Sequence, residues 1–148
     1  MFDFLKTDQQ KKFEEHLGAA QKSNEKLGQS LGKLVFQAKL LPDVLWIRRT
    51  QDFSHDFLCH LIEWQKYSLS EDDLEQIHLK SQEVTCSRVD LNGVLDLSDS
   101  PEYDESVIIN SLREIRKKTA EQEGFCQKLI EKLKGQNPLM KMFFTNML

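Results

Sequence analysis

The chain has 148 residues, of which 30% are charged and 39% hydrophobic, with a formal net charge of -4. That mild acidity argues against a dedicated nucleic-acid binder, which carries a strong basic excess, and no run of about 18 apolar residues is present to span a membrane. Six Gly and three Pro in a chain rich in Glu, Gln, Lys and Leu point to an all-α protein large enough to bury a core. The expectation is one domain over residues 1–148, an elongated antiparallel bundle of about four helices, with apolar terminal segments at 1–6 and 138–148.

Met1-Phe2-Asp3-Phe4-Leu5-Lys6 lacks the basic start and the long apolar run of a secretory signal. Cys59, Cys86 and Cys126 are an odd set without framework spacing, read as reduced thiols of a cytoplasmic protein.

The first predicted helix runs from Asp8 to Leu41, capped by Thr7 or Asp8. Phe13, Leu17, Ala20, Leu27, Leu31, Leu34, Ala38 and Leu41 fall at alternating steps of four and three once Asn24 is counted in its slot. This is the period of a coiled-coil seam or a long bundle helix, and a polar residue such as Asn24 in the seam can fix register. Gly18, Gly28 and Gly32 lie inside, each costing up to about 1 kcal/mol relative to Ala. They suggest a close backbone neighbour or a break near residue 28; the continuous helix is favoured.

Pro42 reads as the start of a second helix, since proline in a first turn forfeits no needed hydrogen bond. It runs to about Tyr67 and carries two apolar lines: Phe53, Phe57, His60, Trp64 and Tyr67, and Val44, Ile47, Leu58 and Leu61. Apolar over most of its circumference, it is expected to be the most buried element, with Trp64 shielded. Ser70 with Glu71, Asp72 and Asp73 signals a third helix to about Val84. In residues 85–100, Asn92-Gly93 between alternating apolar residues suggests an ordered loop or a short hairpin. Ser100-Pro101 opens a last helix ended by Gly135. Its seam is Ile108, Leu112, Ile115, Thr119, Gln122, Cys126, Leu129 and Leu133. The first and last helices, similar in length and period, are expected to pair antiparallel.

The candidate chemistry is thin. His55, Cys59 and Glu63 stand at helical i, i+4, i+8 spacing, which can present metal ligands, yet a solvated face with Asp52 and Asp56 explains them. Glu75 and His78 form one Glu-x-x-His pair, where helical di-iron sites need two. Asp90, Asn92, Asp96 and Asp99 partly match a calcium loop, opposed by the Arg88 cation where a first carboxylate belongs. No activated nucleophile or phosphate loop is marked. The basic run Arg113, Arg116, Lys117 and Lys118, interrupted by Glu114, reads as a solvated helix face. No catalytic residue, metal or cofactor is therefore assigned, and no enzymatic activity is expected.

The C-terminal segment is the unusual feature. Of residues 138–148, seven are Leu, Met or Phe, and Lys141 carries the only side-chain charge. Adaptable Met and Phe surfaces bind partners. The candidate interaction residues are Phe2, Phe4, Leu5, Leu139, Met140, Met142, Phe143 and Phe144, with the heptad seam as a second surface. The functional expectation is a non-enzymatic protein–protein interaction module: an adaptor, a small chaperone or an assembly subunit, with self-association possible in principle and no nucleic acid expected. The alternatives are a helical metal- or ligand-binding protein centred on the second helix, or a nucleic-acid-associated protein using the basic run of the last.

Overall fold

A computed structural model of the chain describes residues 7–136, and these form three helices: α1 (Asp8–Trp64), α2 (Glu71–Asp99) and α3 (Glu105–Gln136). No strand occurs among the described residues, and none of their helices is long and apolar enough to cross a membrane. The chain divides into two units between Leu40 and Leu41. The all-α expectation holds; two expected breaks are absent, of which the first reduces the helix count from four to three and the second lengthens a helix.

The first absent break is Pro42, which lies inside α1. Proline there removes one backbone donor and crowds the carbonyl four residues back, at a cost of roughly 3 kcal/mol. That carbonyl belongs to Ala38, on an exposed turn where water can serve it. Downstream, Val44, Ile47, Gln51, Ser54, Leu58 and Leu61 are buried at steps of three and four. Their burial outweighs one lost bond.

The second is the expected loop or hairpin at residues 85–100, which is helix to Asp99. Val84, Ser87, Leu91, Val94 and Ser98 are buried at steps of three and four, a seam disguised by its two serines. The residues that mimicked strand alternation, Val89 and Leu97, point outward at 65% and 53% exposure. Neither Gly93 nor any other described glycine has positive φ, so Asn92-Gly93 makes no hairpin turn.

Each start is capped. Thr7 and Gln10 form a reciprocal capping box: the Thr7 N–H donates to Gln10 Oε1 at 3.0 Å and the Gln10 N–H to Thr7 Oγ1 at 3.3 Å. The Asp73 N–H donates to Ser70 Oγ at 3.1 Å. The last helix starts later than Ser100-Pro101: Asp104 is its cap, its Oδ1 accepting from the Ser106 N–H at 2.9 Å. Ser100 instead closes α2, its N–H donating to the Leu97 carbonyl at 3.1 Å.

Residues 41–136 form a three-helix bundle. One cluster joins Phe57, Leu58 and Leu61 of α1, Ile77 and Val84 of α2, and Cys126, Leu129, Ile130 and Leu133 of α3. Cross-helix pairs fix the directions. Arg48 meets Asn92 and Asp52 meets Arg88, so α1 and α2 are antiparallel. Gln122 meets Ser87 and Lys132 meets Asp73, so α2 and α3 are antiparallel too. Arg116 pairs with Asp43 and lies over the Trp46 ring, 4.7 Å from its centroid. The last helix of this bundle thus runs parallel to residues 43–64 of α1 and takes its neighbours from there and from α2. All eight seam residues expected on it, from Ile108 to Leu133, are buried.

The second predicted helix is central over Val44 to Leu61, but the shielding expected for Trp64 is contradicted. Trp64 is 70% exposed and Tyr67 92%, because α1 ends at Trp64, one turn past the last core residue. His60 stands beside Trp64, ring centroids 6.2 Å apart.

Candidate functional site

The other unit is described by residues 7–40. Writing Asp8 to Ala38 as heptads abcdefg, with Leu17, Asn24, Leu31 and Ala38 at a, puts Phe13, Ala20, Leu27 and Leu34 at d. The large members of this seam are exposed: Phe13 by 68%, Leu17 by 49%, Leu27 by 59%, Leu31 by 53% and Leu34 by 61%, with Val35 beside them at 55%. Phe36, at an f position, is the one large apolar residue of the stretch that is buried. The sequence shows the seam and offers it as a second contact surface; the exposure of its large residues is what the structure adds.

The charges are sorted around this stripe. Asp8, Lys11, Lys12, Glu15, Lys22, Glu25, Lys26, Lys33 and Lys39 all occupy b, c or f, away from the seam. The e and g flanks carry one acid, Glu14, and otherwise His16, Gln, Ser, Gly28 and Val35. A helix solvated on all sides has no reason to segregate charge in this way; one that docks along a narrow strip does. This placement is the signal in the sequence that separates a docking stripe from an ordinary surface.

The three glycines fit neither the close neighbour nor the break that they suggested. A Cβ placed on Gly18, Gly28 or Gly32 meets no atom within 4 Å, and the helix is continuous through all three. They lower the helix's intrinsic stability by about 1 kcal/mol each.

The expected interaction residues at the chain ends, Phe2, Phe4, Leu5, Leu139, Met140, Met142, Phe143 and Phe144, lie outside the described residues. The metal candidates are all placed. Among the described residues, no three or more His, Cys, Asp or Glu side chains group closely enough to hold a metal ion. Asp90, Asn92, Asp96 and Asp99 ride a regular helix rather than a loop. Arg88 is taken by Asp52 at 2.9 Å. His55 contacts the Cys59 thiol, Nε2 to Sγ 3.6 Å, and its Nδ1 lies 3.6 Å from Asp56 Oδ1. Within the basic run of α3, Arg116 is held by Asp43 and Trp46.

The bundle also carries a polar layer at mid-height. Gln51 and Ser54 of α1, Ser87 of α2, and Thr119 and Gln122 of α3 are all buried. Gln122 Nε2 donates to Ser87 Oγ at 2.9 Å, and the Thr119 hydroxyl donates to the Ile115 carbonyl at 2.7 Å. Gln51 Nε2, Ser54 Oγ and Gln122 Oε1 have no geometrically sound hydrogen-bond partner. The Ser54 hydroxyl does sit beside the Cys126 thiol, a weak partner at best. Burial pushes that thiol up to about 11. Outside this layer, a cleft of about 550 Å³ opens between α2 and α3, lined by Leu79, Cys86, Asp90, Lys118 and Glu121 over Gln122.

No family model, curated protein or solved structure matches this chain.

Proposed function

We propose that this protein is a non-enzymatic interaction module whose contact surface is the apolar stripe of α1 from Phe13 to Leu34. The observation that carries the reading is the exposure of five large seam residues, each by about half or more, on a helix whose charges are turned away from them. Exposed contiguous apolar surface on this scale marks interaction sites in soluble proteins. The bundle of residues 41–136 is held by its own core and does not need the stripe.

Folding energetics support the same reading. An isolated helix is marginal in water, and most helical stability comes from packing an amphipathic face. Residues 8–38 add three glycines to that deficit. A partner that covers the stripe supplies the missing packing, so the role is that of an adaptor or an assembly subunit.

Leu27→Glu with Leu31→Glu in the full chain tests this. Two carboxylates in the stripe should abolish association while the thermal unfolding of the bundle stays in place. Association that survives both substitutions would move the contact surface elsewhere.

A further inference from the structure

The partner's chemistry can be read from the same stripe; this step rests on the reading above. We infer that the stripe is covered by a second copy of this chain, as a parallel, two-stranded, in-register coiled coil over residues 8–38.

Three observations select this occupant. The first is Asn24, exposed at an a position in the middle of the stripe. In a parallel pair, equal a positions face each other, so the two Asn24 amides can hydrogen-bond. In an antiparallel pair each would face an apolar d residue, and in an unrelated apolar groove an apolar wall, and be buried unpaired. A polar a residue of this kind disfavours trimers and slipped registers at some cost in stability.

The second is electrostatic. Parallel strands bring g of one heptad against e of the next on the partner. Here those pairs are Gln9 with Glu14, His16 with Gln21, Ser23 with Gly28, and Ser30 with Val35. None sets like charges against each other, so the stripe can meet its own copy without repulsion. A stripe built for a charged foreign helix would carry a complementary excess on these flanks, and it does not.

The third is size. The exposed fractions of Phe13, Leu17, Leu27, Leu31, Leu34 and Val35 amount to roughly 600 Å² of apolar surface per copy. The polar flanks bring this into the class of stable interfaces, about 800 Å² per side.

The test uses the full chain. Light scattering should give twice the 17.3 kDa chain mass, and Leu27→Glu with Leu31→Glu should raise the dimer dissociation constant at least about a hundredfold. Mild oxidation then reads direction. Ala20→Cys, at d, brings two thiols within disulfide reach only in a parallel, in-register pair. Ala19→Cys, at c, faces outward and serves as the control, with the native cysteines present in both.

A dimer that crosslinks through Ala20→Cys and not through Ala19→Cys supports the proposal. A dimer that crosslinks through neither overturns the parallel register and leaves the interaction reading standing. A monomer at tens of micromolar whose stripe amides exchange freely with solvent overturns self-association, and leaves a foreign partner that the glutamate pair should also abolish. A monomer with a protected stripe that becomes exposed on deleting residues 138–148 overturns both, since the chain would then cover its own stripe.

Discussion

Gln122 on α3 donates from Nε2 to the Ser87 hydroxyl on α2 across 2.9 Å of buried space. Both residues are almost fully buried, Gln122 at 3% and Ser87 at 4% exposure. Around this bond the layer is only partly satisfied: Gln51 Nε2 and Gln122 Oε1 are buried without partners. A half-satisfied polar layer costs stability, and such layers can instead select one helix arrangement over its competitors.

Gln51→Leu should therefore leave the bundle unchanged or more stable, by about 1–3 kcal/mol, because it removes a buried donor that has no partner. Chemical denaturation measures this directly. A loss of stability beyond about 1 kcal/mol would mean that the Gln51 amide is held after all.

Phe57 is the opposite case. It is 1% exposed in the cluster with Ile77, Val84 and Leu129, and it stacks on Phe53 with ring centroids 6.0 Å apart. Phe57→Ala should cost about 3–5 kcal/mol, the loss of a large side chain from a site that cannot collapse onto the gap. Trp64→Ala should cost under about 1 kcal/mol, since most of that ring already faces water. Denaturant melts of the two variants give the contrast.

How far the sequence could be read follows from what each seam is made of. On α3, Ile, Leu and Cys at steps of four and three outvote Thr119 and Gln122, and the whole buried face is legible. On α2 the same period is carried by Ser87 and Ser98 as well as by Leu91 and Val94. Two serines and an Asn-Gly pair were enough to suggest a hairpin where a helix stands. Pro42 misleads for a related reason: a local rule marks a helix start, but the burial of Val44 and Ile47 on the far side is a tertiary gain that local pattern does not report. The stripe of residues 13–38 is fully visible as a period. Whether a period faces its own core or another molecule depends on what packs there, and pattern alone is silent on that.

Cys126 and Cys86 should separate in reactivity. Cys126 is fully buried and its thiol is pushed up to about 11, mainly by burial. Cys86 is exposed on α2. A thiol reagent at neutral pH should modify Cys86 in the native protein and reach Cys126 only after unfolding. The same shift has an alkaline consequence. Between the ordinary thiol value of 9.0 and about 11, the unfolded chain gives up a proton that the folded one keeps. Stability should fall across that window, by roughly 3 kcal/mol in total from this group. Cys126→Ala should flatten the fall.

Asp73 acts at the acid end. Its carboxylate accepts from Lys132 Nζ at 2.8 Å and 2.9 Å, and this bond, then the Ser70 hydroxyl, holds its pKa below the usual carboxylate value. A depressed folded pKa gives stability that is present above the unfolded value and is lost as pH falls through the folded one. Asp73→Asn should reduce acid sensitivity at the junction of α2 with the end of α3. Comparing Tm at neutral and acidic pH for the two proteins checks the sign.

The glycines of α1 offer a last test, because they separate the helix from its contact. Gly18 and Gly32 occupy b positions, on the side turned away from the seam. A Cβ at either meets nothing within 4 Å, and neither has positive φ. Alanine there changes no contact in the stripe and raises the helix's intrinsic stability by about 1 kcal/mol per site. If residues 8–38 hold their helix chiefly through association, Gly18→Ala with Gly32→Ala should tighten that association tenfold or more, with no new side chain at the interface. The change should appear in the concentration dependence of helicity by circular dichroism: the wild-type signal rises with protein concentration, and the variant should reach its plateau at lower concentration. Gly28 differs, since it flanks the seam at e, facing Ser23 of the proposed partner copy. Gly28→Ala should strengthen the helix by the same amount yet gain less in association wherever the two backbones approach there. If all three substitutions raised helicity equally at every concentration, helix formation would be independent of partner binding, and the stripe would be preformed rather than ordered on contact.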